Sequence, residues 1–115
     1  MEYTTLQVGE LEIRPTEYRV YVNGRPLDLT ARELALLTAL AEREGRIVSR
    51  EELYDAVWQR PFRTEDRSVD VYVRKLRAKL SGASPGFAFI HTHFGFGYRL
   101  SPEPSHPFHN RATSR

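Results

Sequence analysis

The spacing of apolar residues changes twice along this chain, and this change constrains the fold more than any other feature of the sequence. Up to residue 29 apolar and polar residues alternate, as in residues 11–14 and 19–22, which is the pattern of a half-buried strand. Within residues 30–58 and 66–80 apolar residues recur every three or four positions, which indicates amphipathic helices. Short alternating segments return after residue 87. Strands at both ends with helices between them predict an α+β fold.

The composition narrows the class of protein. A length of 115 residues predicts one domain, and 40% hydrophobic with 28% charged residues is typical of a globular chain. The absence of cysteine excludes disulfides, a thiolate zinc site and a cysteine nucleophile. No apolar run approaches the roughly 18 residues that a membrane span needs, and residues 1–4 do not begin a signal peptide. The composition therefore permits a reducing, intracellular setting, and we expect no membrane partner.

Charge is distributed unevenly between the two halves of the chain. Residues 1–57 carry 7 Lys and Arg against 11 Asp and Glu, a net charge of −4. Residues 58–115 carry 10 against 4, a net charge of +6, and the two halves together give the chain its +2. Such asymmetry suggests that the second half binds a polyanion. The alternative is an ordinary solvated face, which is the usual meaning of a charge excess.

Residues 11–29 predict a small antiparallel sheet. Asn23-Gly24 separates two alternating segments, and this dipeptide favours a type I′ hairpin turn because both central residues need a positive φ. The partner strand is expected over residues 25–29. Pro26 is expected at a sheet edge, because proline cannot donate a hydrogen bond to the ladder.

Two helices begin with the signature of a capping box, in which a hydroxyl and a glutamate three residues later bind each other's backbone N–H groups. Thr30 with Glu33 begins the first helix, and Ser49 with Glu52 begins the second. Gly45 is expected to stop the first helix.

A third helix is predicted from about residue 66 to residue 80, ended by Ser81-Gly82. Two short strands, residues 88–92 and 98–100, then flank a glycine-rich tip and form a hairpin. Prolines without periodicity follow, so we expect the domain to cover residues 1–101 and a flexible tail to cover residues 102–115. The order of sheet, three helices and hairpin predicts a winged helix-turn-helix, with the hairpin as the wing.

The third helix separates into two faces when its residues are placed at 100° intervals. The apolar face is expected to join the core and comprises Val69, Val73, Leu76 and Leu80. The opposite face carries cations with small or medium apolar residues between them: Arg67, Val71, Arg74, Lys75 and Ala78. A DNA major groove admits one helix and offers guanine acceptors to arginine. A basic face also suits RNA or an acidic protein, or it is merely solvated.

The hairpin adds a weaker indication of the same function. Gly95 and Gly97 permit a tight turn beside a phosphate, and the Thr92 hydroxyl can donate to a phosphate oxygen. A plain structural hairpin would have the same pattern, so a Gly-x-Gly alone is a weak signal.

Several segments together resemble the C-terminal winged-helix DNA-binding domain of OmpR/PhoB-type response regulators, over about residues 6–101. The most specific segments are Asp66-Arg67-Ser68-Val69-Asp70-Val71-Tyr72-Val73-Arg74-Lys75-Leu76-Arg77 and Gly95-Phe96-Gly97-Tyr98-Arg99-Leu100. Few other families share this pair of segments at this spacing.

The resemblance implies sequence-specific binding of double-stranded DNA by a bacterial transcription regulator, with no enzymatic activity and no cofactor. The family's recognition helix falls on residues 66–80, and its base contacts fall on Arg67, Val71, Arg74 and Lys75. Its phosphate contacts fall on Arg50, Trp58, Ser68, Tyr72, Arg77 and Thr92. The loop that contacts RNA polymerase falls on Gln59, Arg60, Phe62, Arg63 and Glu65. Family members bind direct repeats as head-to-tail pairs, so we expect a monomer that pairs on DNA.

Two features depart from the family pattern. The family wing has an arginine that reaches the minor groove, and Phe94 stands at that position here, where it could stack or wedge at the DNA or pack on its own hairpin. His93 beside it could supply a pH-sensitive phosphate contact. We expect altered minor-groove contact and retained DNA binding, because the third helix keeps its cations. The chain also carries no receiver domain, so it is either part of a longer protein or a regulator that works without one.

Other functions receive less support from the residues. The main alternative is a winged helix that uses its basic face to bind an acidic protein. His91 and His93 share a strand face, but no third ligand is evident nearby, so no metal site is predicted. An enzyme is least favoured, because nothing resembles a nucleophile with its base or a phosphate-binding loop.

Overall fold

The computed structural model describes residues 5–63 and 65–105, and a four-stranded antiparallel sheet begins the fold. Its strands are β1 (Leu6–Val8), β2 (Leu11–Arg14), β3 (Arg19–Val22) and β4 (Arg25–Pro26), in that order across the sheet. Asn23 and Gly24 have φ values of 56° and 81°, so the predicted turn is confirmed. Pro26 lies on the edge strand as predicted, although β4 ends there instead of reaching Leu29. β1 is an additional strand that the alternating segments of the sequence do not predict.

Three helices follow in the described chain: α1 (Ala31–Ala41), α2 (Arg50–Trp58) and α3 (Ser68–Ala83). Thr30 and Glu33 bind each other's backbone N–H groups, so the first capping box is confirmed. The second forms only in part. Ser49 Oγ accepts from the Glu52 N–H at 3.0 Å, but the Glu52 carboxylate binds two arginines of the preceding turn instead of reaching back. The prediction of a complete second box is wrong, because these guanidinium groups compete for the carboxylate.

Two helices end at residues other than those predicted. α1 ends at residue 41, and Gly45 lies with a φ of 80° in the turn that follows. α3 continues through Ser81-Gly82 to Ala83. Ser84 is extended, with a φ of −145°, because the residue before a proline is pushed out of the helical region. Pro85, and not the Ser-Gly pair, therefore ends α3.

A hairpin of β5 (Phe87–His93) and β6 (Gly97–Pro104) completes the described fold. It is longer than predicted, since Phe87 pairs with Pro104 and Ala88 with Glu103. The predicted boundary at residue 101 is therefore wrong, because β6 continues for three more residues. Both strands of a two-stranded sheet are edges, so prolines without an N–H group can occupy β6. The rest of the predicted tail, residues 106–115, lies outside the described residues.

The core lies between the sheet, the helices and the hairpin. Fully buried side chains come from every layer: Leu11, Ile13, Leu36, Leu37, Leu40, Leu53, Leu76, Leu80 and Leu100. The predicted apolar face of α3 is confirmed, because all four of its residues are buried. Val48 pairs with Tyr98 in an isolated antiparallel bridge, which joins the hairpin to the chain just before α2. The architecture is the predicted winged helix. No helix in the described ranges is long and apolar enough to cross a bilayer.

Candidate nucleic-acid interface

The outward face of α3 comprises Arg67, Val71, Arg74, Lys75 and Ala78. Val71 is half-buried and the other four are exposed. Arg67 lies 3.8 Å from Asp70 with 68% of its side chain exposed, so this ion pair is weak. Arg74 makes no hydrogen bond or ion pair with any described residue. The Lys75 ammonium lies 4.9 Å from the centre of the Tyr72 ring. The structure thus presents cations to solvent on the side that the helical wheel predicts.

One flank of α3 is held against α1 by an ion pair whose carboxylate is buried and whose lysine is part-exposed. Lys79 Nζ donates to Glu33 Oε1 at 2.7 Å and to the Asp28 carbonyl at 3.1 Å. Glu33 is only 3% exposed. Burial raises the pKa of Glu33, but hydrogen bonds from Lys79 and from Thr30 outweigh burial and hold that pKa below its ordinary value. The charge of Lys79 therefore attaches α3 to α1.

The other flank of α3 is joined to the wing through Asp70. The Tyr98 hydroxyl donates to Asp70 Oδ1 at 2.6 Å, and Arg50 Nε lies 3.3 Å from the same oxygen. Burial, then the hydrogen bond to Asp70 and its negative charge, raise the pKa of Tyr98 to about 12. Asp70 thus connects α3 with α2 and β6, which fixes the wing beside the helix.

Arg50 is turned towards these internal partners. Its Nη2 donates to the Asp66 carbonyl at 2.9 Å, and its guanidinium lies 5.7 Å from the centre of the Phe62 ring. The contact with Asp70 is electrostatic, because the Arg50 Nε–H makes no hydrogen bond of good geometry. A phosphate contact by Arg50 stays a prediction, and phosphate would compete with the groups that already hold this side chain.

Arg77 and Thr92 form a second link between α3 and the wing. Arg77 is exposed, and its Nη2 donates to Thr92 Oγ1 at 2.8 Å. The Thr92 hydroxyl accepts that hydrogen bond and keeps its own proton for another acceptor. The pair therefore places two donors side by side at the boundary between α3 and β5.

The remaining phosphate candidates surround the N-terminal end of α3. The N–H of Ser68, the first residue of α3, donates to Asp66 Oδ1 at 2.8 Å. Trp58 and Tyr72 are half-buried and meet edge to face with ring centres 5.7 Å apart. Trp58 also stacks on Tyr54 at 5.0 Å. These rings support α3 from α2 and leave part of their surface accessible.

The tip of the wing exposes two aromatic rings. Phe94 is 88% exposed and Phe96 is 73% exposed, so the alternative in which Phe94 packs on its own hairpin is wrong. Gly95 turns the chain with a φ of 84°. At Gly97 the φ is 141°, and a Cβ would overlap the Val48 carbonyl. Only glycine lets the wing approach the chain before α2 so closely.

The histidines near the wing already have partners. His93 Nε2 accepts from Arg99 Nε at 3.0 Å, and His91 Nε2 lies 2.7 Å from the Ser101 carbonyl. The described residues contain no cluster of three or more His, Cys, Asp or Glu that could hold a metal ion.

The connection between α2 and α3 is anchored at two positions and exposed at others. Arg60 Nε donates to the Tyr54 hydroxyl at 2.8 Å, and Phe62 packs edge-on against the Tyr54 ring at 5.3 Å. The exposed residues of this loop are Gln59, Arg60, Pro61, Arg63 and Glu65, so Arg60 is anchored at the surface and only Phe62 is half-buried. Position 64 lies outside the described residues. Contact of this loop with RNA polymerase stays a prediction.

Sequence reasoning missed how Val48, Asp70 and Tyr98 brace the wing. The bridge from Val48 to Tyr98 joins residues 50 positions apart, and no local sequence pattern predicts such a pair. Asp70 offered a usable signal, because it stands as one acid among the five cations of residues 67–79. An acid on a flank of a cationic helix indicates an internal partner.

Comparison with known sequences adds an independent finding. Residues 24–100 match the family described as "Transcriptional regulatory protein, C terminal". The chain is 38% identical over 95 residues to the transcriptional regulatory protein CreB of Escherichia coli K12, an alignment that covers 83% of this chain and 42% of CreB. The chain therefore spans less than half the length of this curated relative.

Two solved structures are similar to the fold described above. The DNA-binding domain of CpxR from Escherichia coli has a TM-score of 0.77 at 33% identity, covering 85% of this chain and 96% of that one. The Klebsiella pneumoniae RstA DNA-binding domain, solved in complex with the RstA box, has a TM-score of 0.77 at 30% identity, with 87% and 99% covered.

Proposed function

This chain belongs to the OmpR/PhoB-type family of transcriptional regulatory proteins, as a C-terminal winged-helix domain, and we propose that it binds double-stranded DNA in a sequence-specific manner. α3 is the recognition helix in this proposal and enters the major groove, which admits one helix. α2 and the hairpin hold α3 from its flanks. The domain would serve a bacterial transcription regulator and act in the cytoplasm, where the chromosome lies.

The observation that carries this proposal is the free outward face of α3. Arg74 and Lys75 have no anionic partner among the described residues, while on the flanks Lys79 is paired with Glu33 and Asp70 with Arg50. Arginine binds the O6 and N7 atoms of guanine through two hydrogen bonds. Val71 and Ala78 are small enough to meet a thymine methyl. We assign base contacts to Arg67, Val71, Arg74 and Lys75.

Phosphate contacts surround these base contacts in the proposal. Arg77 and Thr92 offer adjacent donors at the boundary of the wing. The other assigned residues are Arg50, Trp58, Ser68 and Tyr72. Each neutralised phosphate releases counterions, so affinity should fall steeply as salt concentration rises.

Selection of bound duplexes from a random pool tests the proposal. A recovered sequence motif that is bound at least 10³-fold more tightly than random duplex would support it, since that ratio is typical of specific sites. Binding that is equal for all duplexes, or stronger for duplex RNA, would contradict it. The rival function, capture of an acidic protein through the same face, predicts that generic duplex DNA at moderate salt does not compete with that protein.

We also propose that two copies pair head to tail on direct repeats. The family resemblance supports this. The selected motif should then contain two half-sites in the same orientation, about 10 base pairs apart. Half-sites in opposite orientation would contradict the pairing and leave DNA binding intact.

A contact with RNA polymerase is proposed for the loop of Gln59, Arg60, Phe62, Arg63 and Glu65. Its anchoring through Arg60 and Phe62 supports this, because the backbone is held while Arg63 remains exposed. The variant Arg63→Ala should bind the selected duplex normally and fail to recruit purified polymerase. Normal recruitment by this variant would contradict the assignment of Arg63.

A further inference from the structure

The wing tip is a tight turn that projects one side chain away from the hairpin. The Phe96 N–H donates to the His93 carbonyl at 2.8 Å, which closes a β-turn. Gly95 has a φ of 84°, and Phe94 does not have a positive φ. This is the pattern of a type II turn, in which the third residue needs a positive φ and is usually glycine. Phe94 is the second residue of the turn and stands at its apex.

The ring of Phe94 lacks support from the rest of the described chain. It is 88% exposed, although burial of a phenylalanine ring is strongly favourable in water. A cleft of about 430 Å³ lies between the tip and the body, lined by Arg50, Asp70 and Thr92 among others, and Phe94 borders this cleft without filling it. Phe94 and Phe96 together expose two rings at one turn, and adjoining exposed apolar side chains are a feature that a partner would cover.

The tip is also fixed in position relative to α3. Tyr98 binds Asp70 at 2.6 Å and Thr92 binds Arg77 at 2.8 Å, so both strands of the hairpin are tied to the helix. When α3 occupies a major groove, the neighbouring groove across one sugar-phosphate strand is a minor groove. The cleft between tip and helix is where that strand would pass, with Arg50 and Thr92 at its walls, while the Asp70 carboxylate in its lining is already bound by Tyr98 and Arg50.

The chemistry of the tip suits bases better than phosphates. Residues 87–98 contain no Lys, Arg, Asp or Glu, so the tip has no fixed charge with which to follow the DNA backbone. Apolar side chains that enter a minor groove act as wedges between base pairs, which they partly unstack.

We propose that Phe94 inserts into the minor groove beside the site read by α3 and partly unstacks one base step there. This inference rests on the proposed function and extends it to a specificity-determining residue. The wedge would favour flexible pyrimidine–purine steps, because these unstack at the lowest cost. The protein would thereby select sequence at a position where it makes no hydrogen bond to a base.

The test uses the duplex selected from the random pool, with 2-aminopurine placed in turn at each position that flanks the α3 site. Fluorescence of this base rises when it is unstacked. The wild-type protein should raise fluorescence at one flanking step. The variant Phe94→Ala should abolish that rise and weaken binding about tenfold. Phe94→Leu should keep most of both, because leucine also serves as a wedge.

Two control variants separate the wedge from a general loss of exposed aromatic surface. Tyr18 is 77% exposed with a φ of 57°, and Tyr18→Asn removes a ring while asparagine tolerates that φ. It should leave fluorescence and affinity unchanged. Phe96→Ala should keep the unstacked step, because Phe96 follows the apex.

The outcomes distinguish this inference from the proposed function. Normal binding without any unstacked step, or an unstacked step that persists in Phe94→Ala, would overturn the wedge and leave DNA binding in place. Loss of the step in Phe96→Ala alone would overturn the assignment to Phe94. If the wild-type protein binds no duplex, the proposed function fails and the wedge fails with it.

Discussion

The outward face of α3 and the flanks of the same helix carry similar cations but use them differently. On the flanks, Lys79 lies 2.7 Å from the Glu33 carboxylate, whereas Arg77 donates to the neutral Thr92 hydroxyl at 2.8 Å and has no anionic partner among the described residues. On the outward face, Arg74 makes no hydrogen bond or ion pair with any described residue. The charge of Lys79 therefore helps to hold the fold, whereas the charge of Arg74 remains available to a polyanion.

This difference explains why the chain's composition is a poor guide to its interface. A net charge of +2 counts paired and free cations alike. A paired cation has its charge compensated at short range, whereas an exposed cation without a partner contributes little to stability and keeps its charge for a ligand. If the distinction is correct, substitution of the paired Lys79 should change stability, and substitution of a cation without an anionic partner should change binding.

The largest effect is expected from detaching the wing from the helices. Gly97→Ala places a Cβ against the Val48 carbonyl at a φ of 141°, so the bridge between Val48 and Tyr98 must break. We expect a loss of about 3 kcal/mol or more in the free energy of unfolding, measured by urea denaturation. Gly82→Ala is the control, because Gly82 lies in α3 with open space around it. It should stabilise by up to about 1 kcal/mol. Equal effects of the two substitutions would disprove the close approach.

The next largest effect is expected at the buried flank. Glu33→Gln removes the charge that Lys79 and Thr30 bind, and we expect a loss of about 2 kcal/mol at pH 7. The pKa of Glu33 is lowered in the folded state, so its stabilisation is present above the ordinary pKa and is lost as pH falls through the lowered value. Denaturation curves of wild type and variant should therefore converge in acid. The exposed Glu44→Gln should change stability by less than about 0.5 kcal/mol at either pH. If the difference in free energy of unfolding between wild type and Glu33→Gln stays constant as the pH falls, the lowered pKa is wrongly assigned to Glu33.

A smaller effect is expected at the flank that faces the wing. Asp70→Asn removes the negative charge next to the Tyr98 hydroxyl and should cost about 1 kcal/mol. The pKa of Tyr98, raised to about 12 by burial, the hydrogen bond and that charge, should fall part of the way towards its ordinary value, because burial remains. Ultraviolet titration of the tyrosines measures this, with Tyr98→Phe to identify the signal. An unchanged titration in Asp70→Asn would show that Asp70 does not brace the wing.

The smallest effect on stability is expected on the outward face. Arg74→Ala should change the free energy of unfolding by less than about 0.5 kcal/mol, because Arg74 has no partner among the described residues. Thermal unfolding with a matched Lys79→Ala variant provides the contrast, since Lys79 is paired and its removal should destabilise. If Arg74→Ala destabilises as much as Lys79→Ala, the outward face is part of the fold and the comparison fails.

Features with a local cause could be predicted from the sequence. The Asn23-Gly24 turn needs two positive φ values, the Thr30 capping box needs two side chains three residues apart, and the apolar face of α3 follows from helical geometry. Each of these is decided by neighbouring residues, and each is confirmed. The cations of the outward face were located by the same geometry.

Features with a distant cause could not be predicted. The bridge from Val48 to Tyr98 and the inward turn of Arg50 towards Asp66 and Asp70 depend on how separate elements pack. The half-formed second capping box has the same origin, because arginines before α2 take the carboxylate that the local pattern assigned to the backbone. The length of β6 could not be predicted, because its prolines normally indicate the end of a strand, although a two-stranded hairpin tolerates them.

Whether Arg74 contacts a base is tested by a double-substitution cycle between Arg74 and the selected duplex. Affinities are compared for wild type and Arg74→Ala on the parent duplex and on duplexes that each carry one changed base pair, with the exposed Arg25→Ala of β4 as control. We expect a coupling free energy of about 1–3 kcal/mol between Arg74→Ala and the change at one base pair. Almost no coupling is expected at the other base pairs or with Arg25→Ala. A loss of affinity that is the same for every duplex would contradict it, because Arg74 would then contact phosphate alone.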